Sequence, residues 1–245
     1  MDFSAHSGLR IKIRLCDTMG YGLPYADAAL PRSVPKLIYY LQREFGIPSR
    51  DLEWHGHNDF HKVHINGVAA WLSGASSVNG TILGFGERTG NSPLEALAVE
   101  YASLTGSTNG MDLTAITGIA DYMRSIGTVI APNYPFVGSN FNVTMAGIHA
   151  DGVIKNEEIY NIFDTGKILN RPLGVHITDR SGIAGVGFWV SQQLQQQGKP
   201  PVDKRDPRVA KIFEWIEAQY ADGRVTAISQ EEMQQQFQLH FNQTA

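Results

Sequence analysis

Two histidines one residue apart, in His55-Gly56-His57-Asn58-Asp59, and a glycine-rich stretch, Gly84-Phe85-Gly86-Glu87-Arg88-Thr89-Gly90-Asn91, hold most of the chemistry legible in the chain. Alternate side chains of a strand share a face, so His55 and His57 converge while Trp54, Gly56 and Asn58 take the other side. Neutral imidazole nitrogens are common ligands of divalent metals, and active sites of parallel barrels lie at the C-terminal ends of the strands. Taken alone, such a pair reads more readily as two hydrogen-bonded histidines lining a polar cleft. The second stretch turns the reading toward a metal. Its glycines permit positive φ and let the backbone approach a ligand closely. No Lys-Ser or Lys-Thr pair closes it as in a P-loop, and its spacing is not that of a dinucleotide fingerprint. The side-chain carbonyl of Asn91 suits a hard cation, although the residue also reads as part of a helix N-terminal turn ahead of Pro93. Glu87 and Arg88 read either as an ion pair that shapes the loop or as substrate contacts. Asp59 and His61, just past the histidine strand, are candidates for orienting the ligands.

These stretches need elements to hold them. Residues 9–16 alternate Leu9, Ile11, Ile13, Leu15 with Arg10, Lys12, Arg14, Cys16, a period of two that predicts a strand ending at Asp17-Thr18-Met19-Gly20. Further strands are predicted over 52–57 and 75–83, with helices over 35–45, 62–73 and 92–104. Strands alternating with helices at this spacing predict βα units and a parallel sheet with right-handed crossovers. The polar break at 105–109 suggests a boundary, dividing the chain into 1–106 and 107–245. Beyond it, helices are predicted over 113–125, 157–163, 185–197, 209–220 and 230–241, with an irregular connector at 130–138. The second half therefore reads as mainly α, and its glutamine runs as solvated helix faces.

Composition sets the class. With 42% hydrophobic and 18% charged residues over 245 positions, the chain is an ordinary globular protein. A net charge of −4 gives no reason to expect nucleic acid or an anionic membrane as partner. The lone Cys16 can form no internal disulfide and no thiolate cluster. No signal peptide opens the chain and no apolar run approaches the roughly 20 residues of a membrane helix, so the expected location is cytoplasmic.

HGHND, GFGERTGN followed by Leu94-Glu95, the earlier CDTMG and the later AGIHADG together resemble the isopropylmalate synthase and homocitrate synthase family of acyl-CoA-condensing metalloenzymes. The motifs occur in the family's order, and the likeness covers nearly the whole chain. Within that family, Tyr134 to Gly138, Phe141-Asn142 and Ile177 to Gly182 look most like the Re-type citrate synthases, which join acetyl-CoA to oxaloacetate. The resemblance implies a TIM barrel followed by a helical region and a divalent metal (Mn, Co, Mg or Zn). It implies that His55 and His57 bind that metal with Asn91 at or beside it, and that Thr18 hydrogen-bonds an α-keto acid. His149 and Tyr160 match a histidine and a tyrosine supplied from beyond the barrel, in related homodimers by the neighbouring subunit. His149 is the candidate base for the methyl group of acetyl-CoA.

A closed barrel of this kind has eight strands and about 250 residues by itself. The three predicted strands align with the family's last three. The expectation is therefore a partial barrel that lacks the family's metal-binding aspartate and substrate-binding arginine, in a chain that pairs as a homodimer or with a polypeptide supplying the other strands. Isopropylmalate or homocitrate synthesis from another α-keto acid, and a non-catalytic partner subunit, are the alternatives.

Overall fold

Alternation at the start of the chain becomes a two-faced parallel sheet. The computed structural model describes residues 2–144 and 161–241. A short helix, α1 (Asp2–Ser7), precedes β1 (Ile13–Asp17), which pairs with β2 (Leu52–Gly56). β2 pairs with β3 (Ser77–Thr81), and β3 with the two-residue β4 (Ser92–Pro93), in the order β1-β2-β3-β4. Helices α2 (Val34–Phe45) and α3 (Val63–Leu72) connect the first three strands, and α4 (Leu94–Thr105) follows β4.

Two expectations need correction. β1 begins at Ile13, so the alternation over 9–12 overreaches the pairing available: β2 starts at Leu52, the register partner of Ile13. The predicted third helix yields its first two residues to β4 because Gly80 lacks a side chain. A Cβ there would run into the carbonyl of its register partner Ser92.

One face of the sheet is apolar. Leu15, Trp54 and Val78 stand in register across β1, β2 and β3 and pack with Val34, Ile38, Leu52, Ala69 and Ala70. α2 is well specified locally: the Ser33 hydroxyl accepts from Lys36 N, proline occupies its first turn, and Gly46 closes it at φ 63°.

The chain divides into units Met1–Leu113 and Thr114–Ala245. The second contains α5 (Ala115–Ser125), β5 (Val143–Thr144), α6 (Thr165–Leu169), β6 (Gly174–Val175), α7 (Ile183–Gln196), α8 (Pro207–Ala221) and α9 (Gln230–Phe241). The parallel pairing of β5 with β6 adds a small sheet to a region read as mainly helical. Of the helix expected at 157–163, residues 161–163 are not helical. A short helix follows Asp164, whose carboxylate accepts from Lys167 N at 3.0 Å; residues 157–160 lie outside the described residues. The core of this unit joins Trp189 and Val190 of α7, Ile212 and Ile216 of α8, and Met233 and Phe237 of α9.

α9 opens with a reciprocal cap. Ser229 N donates to Glu232 Oε2 at 2.8 Å, and Glu232 N donates to Ser229 Oγ at 3.2 Å. Arg224 closes on the same carboxylate through two 2.6 Å bonds. Arg224, then the Ser229 amide, hold the Glu232 carboxyl at about 2, below the ordinary 4.5. A depressed folded-state value contributes stability above the unfolded value and loses it as pH falls through the folded one. Glu232 is 33% exposed, so about 1 kcal/mol is expected after screening. Wild-type chain should melt above Glu232→Gln at pH 6, and thermal melts should show that advantage shrinking between pH 4.5 and 2. A constant difference would refute the assignment.

Candidate active site at the strand ends

The face of the sheet opposite the helices is polar. Arg14, Glu53 and Ser77 form one row across β1, β2 and β3, and Cys16, His55 and Asn79 form the next. Glu53 is only 8% exposed and is gripped by Lys12 at 2.7 Å and Arg14 at 3.0 Å. Those hydrogen bonds, from Lys12 first, hold its carboxyl below the usual range. Burial, followed by the charges of His57 and Arg14, pushes the His55 imidazole below its ordinary value. A neutral ring keeps a free nitrogen lone pair, which is what a metal ligand needs. The His55 and His57 rings lie edge to face with centroids 5.2 Å apart.

The CDTMG turn locks the end of β2. His57 N donates to Asp17 O at 3.2 Å, while the Asp17 carboxylate accepts from the amides of Tyr21 and Gly22, both at 2.9 Å. Gly20, at φ 62°, lies where a Cβ would come within 2.6 Å of His57 O and 2.9 Å of Asp59 N. Only glycine lets the turn pass there.

The glycine-rich loop closes the other side. Leu83 takes φ 56° with its N–H held at 2.9 Å by the buried Glu95 carboxylate. Gly84 O accepts from Asn91 N at 2.9 Å, Gly90 O accepts from Asn58 N at 2.9 Å, and His57 bridges Asn91 in antiparallel fashion. The Asn91 amide is oriented by its Nδ2, which donates to Phe85 O at 2.9 Å. Its Oδ1 is buried with no hydrogen-bond partner, and so is Asn79 Oδ1. Buried amide oxygens are rarely left unpaired without a reason such as an ion or a water.

Arg88, at φ 54°, donates through Nε to Asp59 Oδ1 at 2.8 Å and through Nη2 to Asp59 Oδ2 at 3.2 Å. Its Nη2 also meets His57 Nδ1 at 2.6 Å and bonds the Thr18 carbonyl. The guanidinium lowers the Asp59 carboxyl, and Asp59 raises Arg88. Arg88 thus takes its ion pair from Asp59 and not from Glu87, because Asp59, His57 and Thr18 together offer a set of acceptors that one neighbouring carboxylate cannot. Asp59 therefore orients Arg88, and Glu87 is exposed.

The fold brings Thr18, His55, His57, Arg88 and Asn91 to one end of the sheet. Thr18 also borders a cleft of about 380 Å³ with Cys16, Asp17, Tyr21, Arg32 and Trp54. His149 and Tyr160 lie outside the described residues. Asn79 went unnoticed in the sequence; the signal was its parity, since register with His55 puts a polar amide on the histidine face. Among the described residues, no group of three or more His, Cys, Asp or Glu is placed to hold a metal ion. The donor set is two imidazoles and an unpaired amide oxygen. That suits a divalent cation and falls short of a complete shell by an anionic ligand.

Parallel strands, helical crossovers and polar strand ends carrying paired histidines agree with what comparison with known proteins shows. Residues 7–123 match the HMGL-like family, so this stretch is an HMGL-like domain, an α/β fold with a parallel sheet and several helices. The chain is 55% identical over 235 residues to the citrate (Re)-synthase of Syntrophus aciditrophicus, covering 96% of this chain and 37% of that protein. It is 48% identical to the citrate (Re)-synthase of Clostridium kluyveri, covering 96% and 52%. It is 40% identical to the 2-phosphinomethylmalate synthase of Streptomyces hygroscopicus, covering 92% and 50%. The chain spans between about a third and a half of the length of these relatives. No helix among the described residues is long and apolar enough to cross a membrane.

Proposed function

We propose that this chain carries the C-terminal catalytic portion of an acyltransferase that condenses acetyl-CoA with an α-keto acid, oxaloacetate giving citrate. One observation supports this most: His55, His57 and the unpaired Oδ1 of Asn91 gather at the C-terminal edge of a parallel sheet in a chain 55% identical to a citrate (Re)-synthase. His55, His57 and Asn91 would hold a divalent cation. Such a cation, when bound, polarises a keto carbonyl as a Lewis acid.

The chain's own residues supply the setting. Burial favours the neutral form of His55, and the Lys12–Glu53–Arg14 network fixes the polar floor beneath it. Thr18 and Arg88 stand beside the histidines, where a hydroxyl and a guanidinium suit the carboxylate of an α-keto acid. His149, with Tyr160, would take the proton from the methyl group of acetyl-CoA. Residues 1–106 would then be the last βα units of a barrel and 107–245 a C-terminal subdomain. A reducing, cytoplasmic compartment suits the exposed Cys16.

The test is citrate formation from acetyl-CoA and oxaloacetate with Mn²⁺ or Co²⁺, with and without a polypeptide supplying the preceding strands. Citrate in the combined arm, and little from the chain alone, is expected. His55→Ala should weaken ion affinity about tenfold or more and remove citrate formation with it. Turnover of 2-oxoisovalerate or 2-oxoglutarate in place of oxaloacetate would reassign the substrate, and no condensation with any of the three would defeat the proposal.

A further inference from the structure

Asn79 lies between two residues of β3 that face the helices. Val78 packs against the apolar cluster of the sheet, and a Cβ on Gly80 would meet Ser92 O and the Leu94 side chain. Alternation along the strand therefore turns Asn79 to the histidine face, where it stands in register with His55 on β2. Adjacent strands run about 4.8 Å apart, so Asn79 is the cross-strand neighbour of His55. Its Oδ1 is buried and has no hydrogen-bond partner among the described residues. Two side-chain donors at this end of the sheet are committed to one carbonyl: Thr81 Oγ1 donates to Phe85 O at 2.5 Å, and Asn91 Nδ2 donates to the same oxygen at 2.9 Å. The amide oxygens of Asn79 and Asn91 are both left without a donor, one in register with His55 and the other bridged to His57. A side-chain oxygen withdrawn from water and unpaired is costly, and a cation offsets that cost where no N–H or O–H is to hand.

We infer that Asn79 is a further protein donor to the divalent cation, its Oδ1 joining the ion's shell beside His55, His57 and Asn91. This rests on the reading of those three residues as ligands. Two imidazoles and two amide oxygens bring the ion no negative charge, and affinity for a hard cation rises with the charge of its ligands. A carboxylate in place of the Asn79 amide therefore strengthens the site if Asn79 is a donor, and does nothing for it if the side chain only fills space.

Titration of the full chain with Co²⁺ alone tests this. Asn79→Ala should weaken affinity at least about tenfold, since even groups that only orient a ligand are worth that much. Asn79→Asp, close in size and anionic, should tighten it by about tenfold or more. In nitrogen-15 spectra, Co²⁺ should drive the side-chain amide of Asn79, assigned from the Asn79→Ala variant, to a large paramagnetic shift. Without the ion, the β2 and β3 amides of Asn79→Leu should exchange no faster than those of wild type, because the substitution removes an unmet oxygen and keeps the volume. An Asn79 amide that Co²⁺ leaves unshifted, or Asn79→Ala and Asn79→Asp chains that both bind as wild type does, overturns the assignment. Faster exchange in Asn79→Leu would show that the oxygen serves the fold, and overturns it too. If His55→Ala binds Co²⁺ as tightly as wild type, the ligand set fails and the role of Asn79 falls with it. If His55→Ala loses binding while the Asn79 variants change nothing, only the role of Asn79 falls.

Discussion

Gly20→Ala is expected to unseat the end of β2 and cost the site most of its ion affinity. Gly20 sits at φ 62°, where a non-glycine residue pays roughly 1–2 kcal/mol in backbone strain. Space adds to this cost. The new Cβ would lie 2.6 Å from His57 O and 2.9 Å from Asp59 N, both backbone atoms that no rotamer change can move. Relief requires shifting either the CDTMG turn or the HGHND segment, and Thr18, His57 and Asp59 in these segments all meet Arg88. A loss of at least about 2 kcal/mol in local stability is expected from strain and clash together. Hydrogen exchange at the amides of His57 and Gly20 would show it as faster opening, and Co²⁺ titration as an affinity at least about tenfold lower. Exchange and affinity at wild-type levels would mean the turn has slack that the glycine does not reveal.

Trp54→Ala is expected to have the largest effect on the first unit's stability. Trp54 is 2% exposed, stands in register between Leu15 and Val78, and packs with Val34, Ile38 and Leu52. Truncating a buried tryptophan costs about 3–5 kcal/mol through lost burial and the cavity left behind. One feature moves the value toward the lower end. Trp54 Nε1 is buried with no hydrogen-bond partner, so the native state already carries an unmet donor worth about 1–3 kcal/mol. Trp54→Phe removes that donor while keeping most of the ring, and should cost under about 1 kcal/mol. Hydrogen exchange of the β1, β2 and β3 amides reads this unit separately, which a single melting curve of a two-unit chain does not. A loss for Trp54→Phe well above about 1 kcal/mol would show that the indole nitrogen is satisfied after all.

Much of the site was legible because the signals are local. A period of two places His55 and His57 on one face whatever else the chain does, and a loop with Gly84, Gly86 and Gly90 announces a reversing backbone. Ser33 before Pro35 marks the start of α2. The weaker expectations failed where local signals had competition. The alternation at 9–12 had no strand opposite it, and Ser92-Pro93, a fair helix start, was taken by β3 because Gly80 left room for it.

The sequence by itself determined which residues are candidates for the site and which face of each strand they occupy, because side-chain parity and glycine conformation depend only on near neighbours. Only the tertiary structure decided their partners. Asp59 claims Arg88 across 29 residues, Glu95 holds Leu83 from the next helix, and Asn79 joins the histidine face with an unmet oxygen. Those pairings depend on which strands lie side by side and in which register, and strand order is settled by packing across the whole sheet.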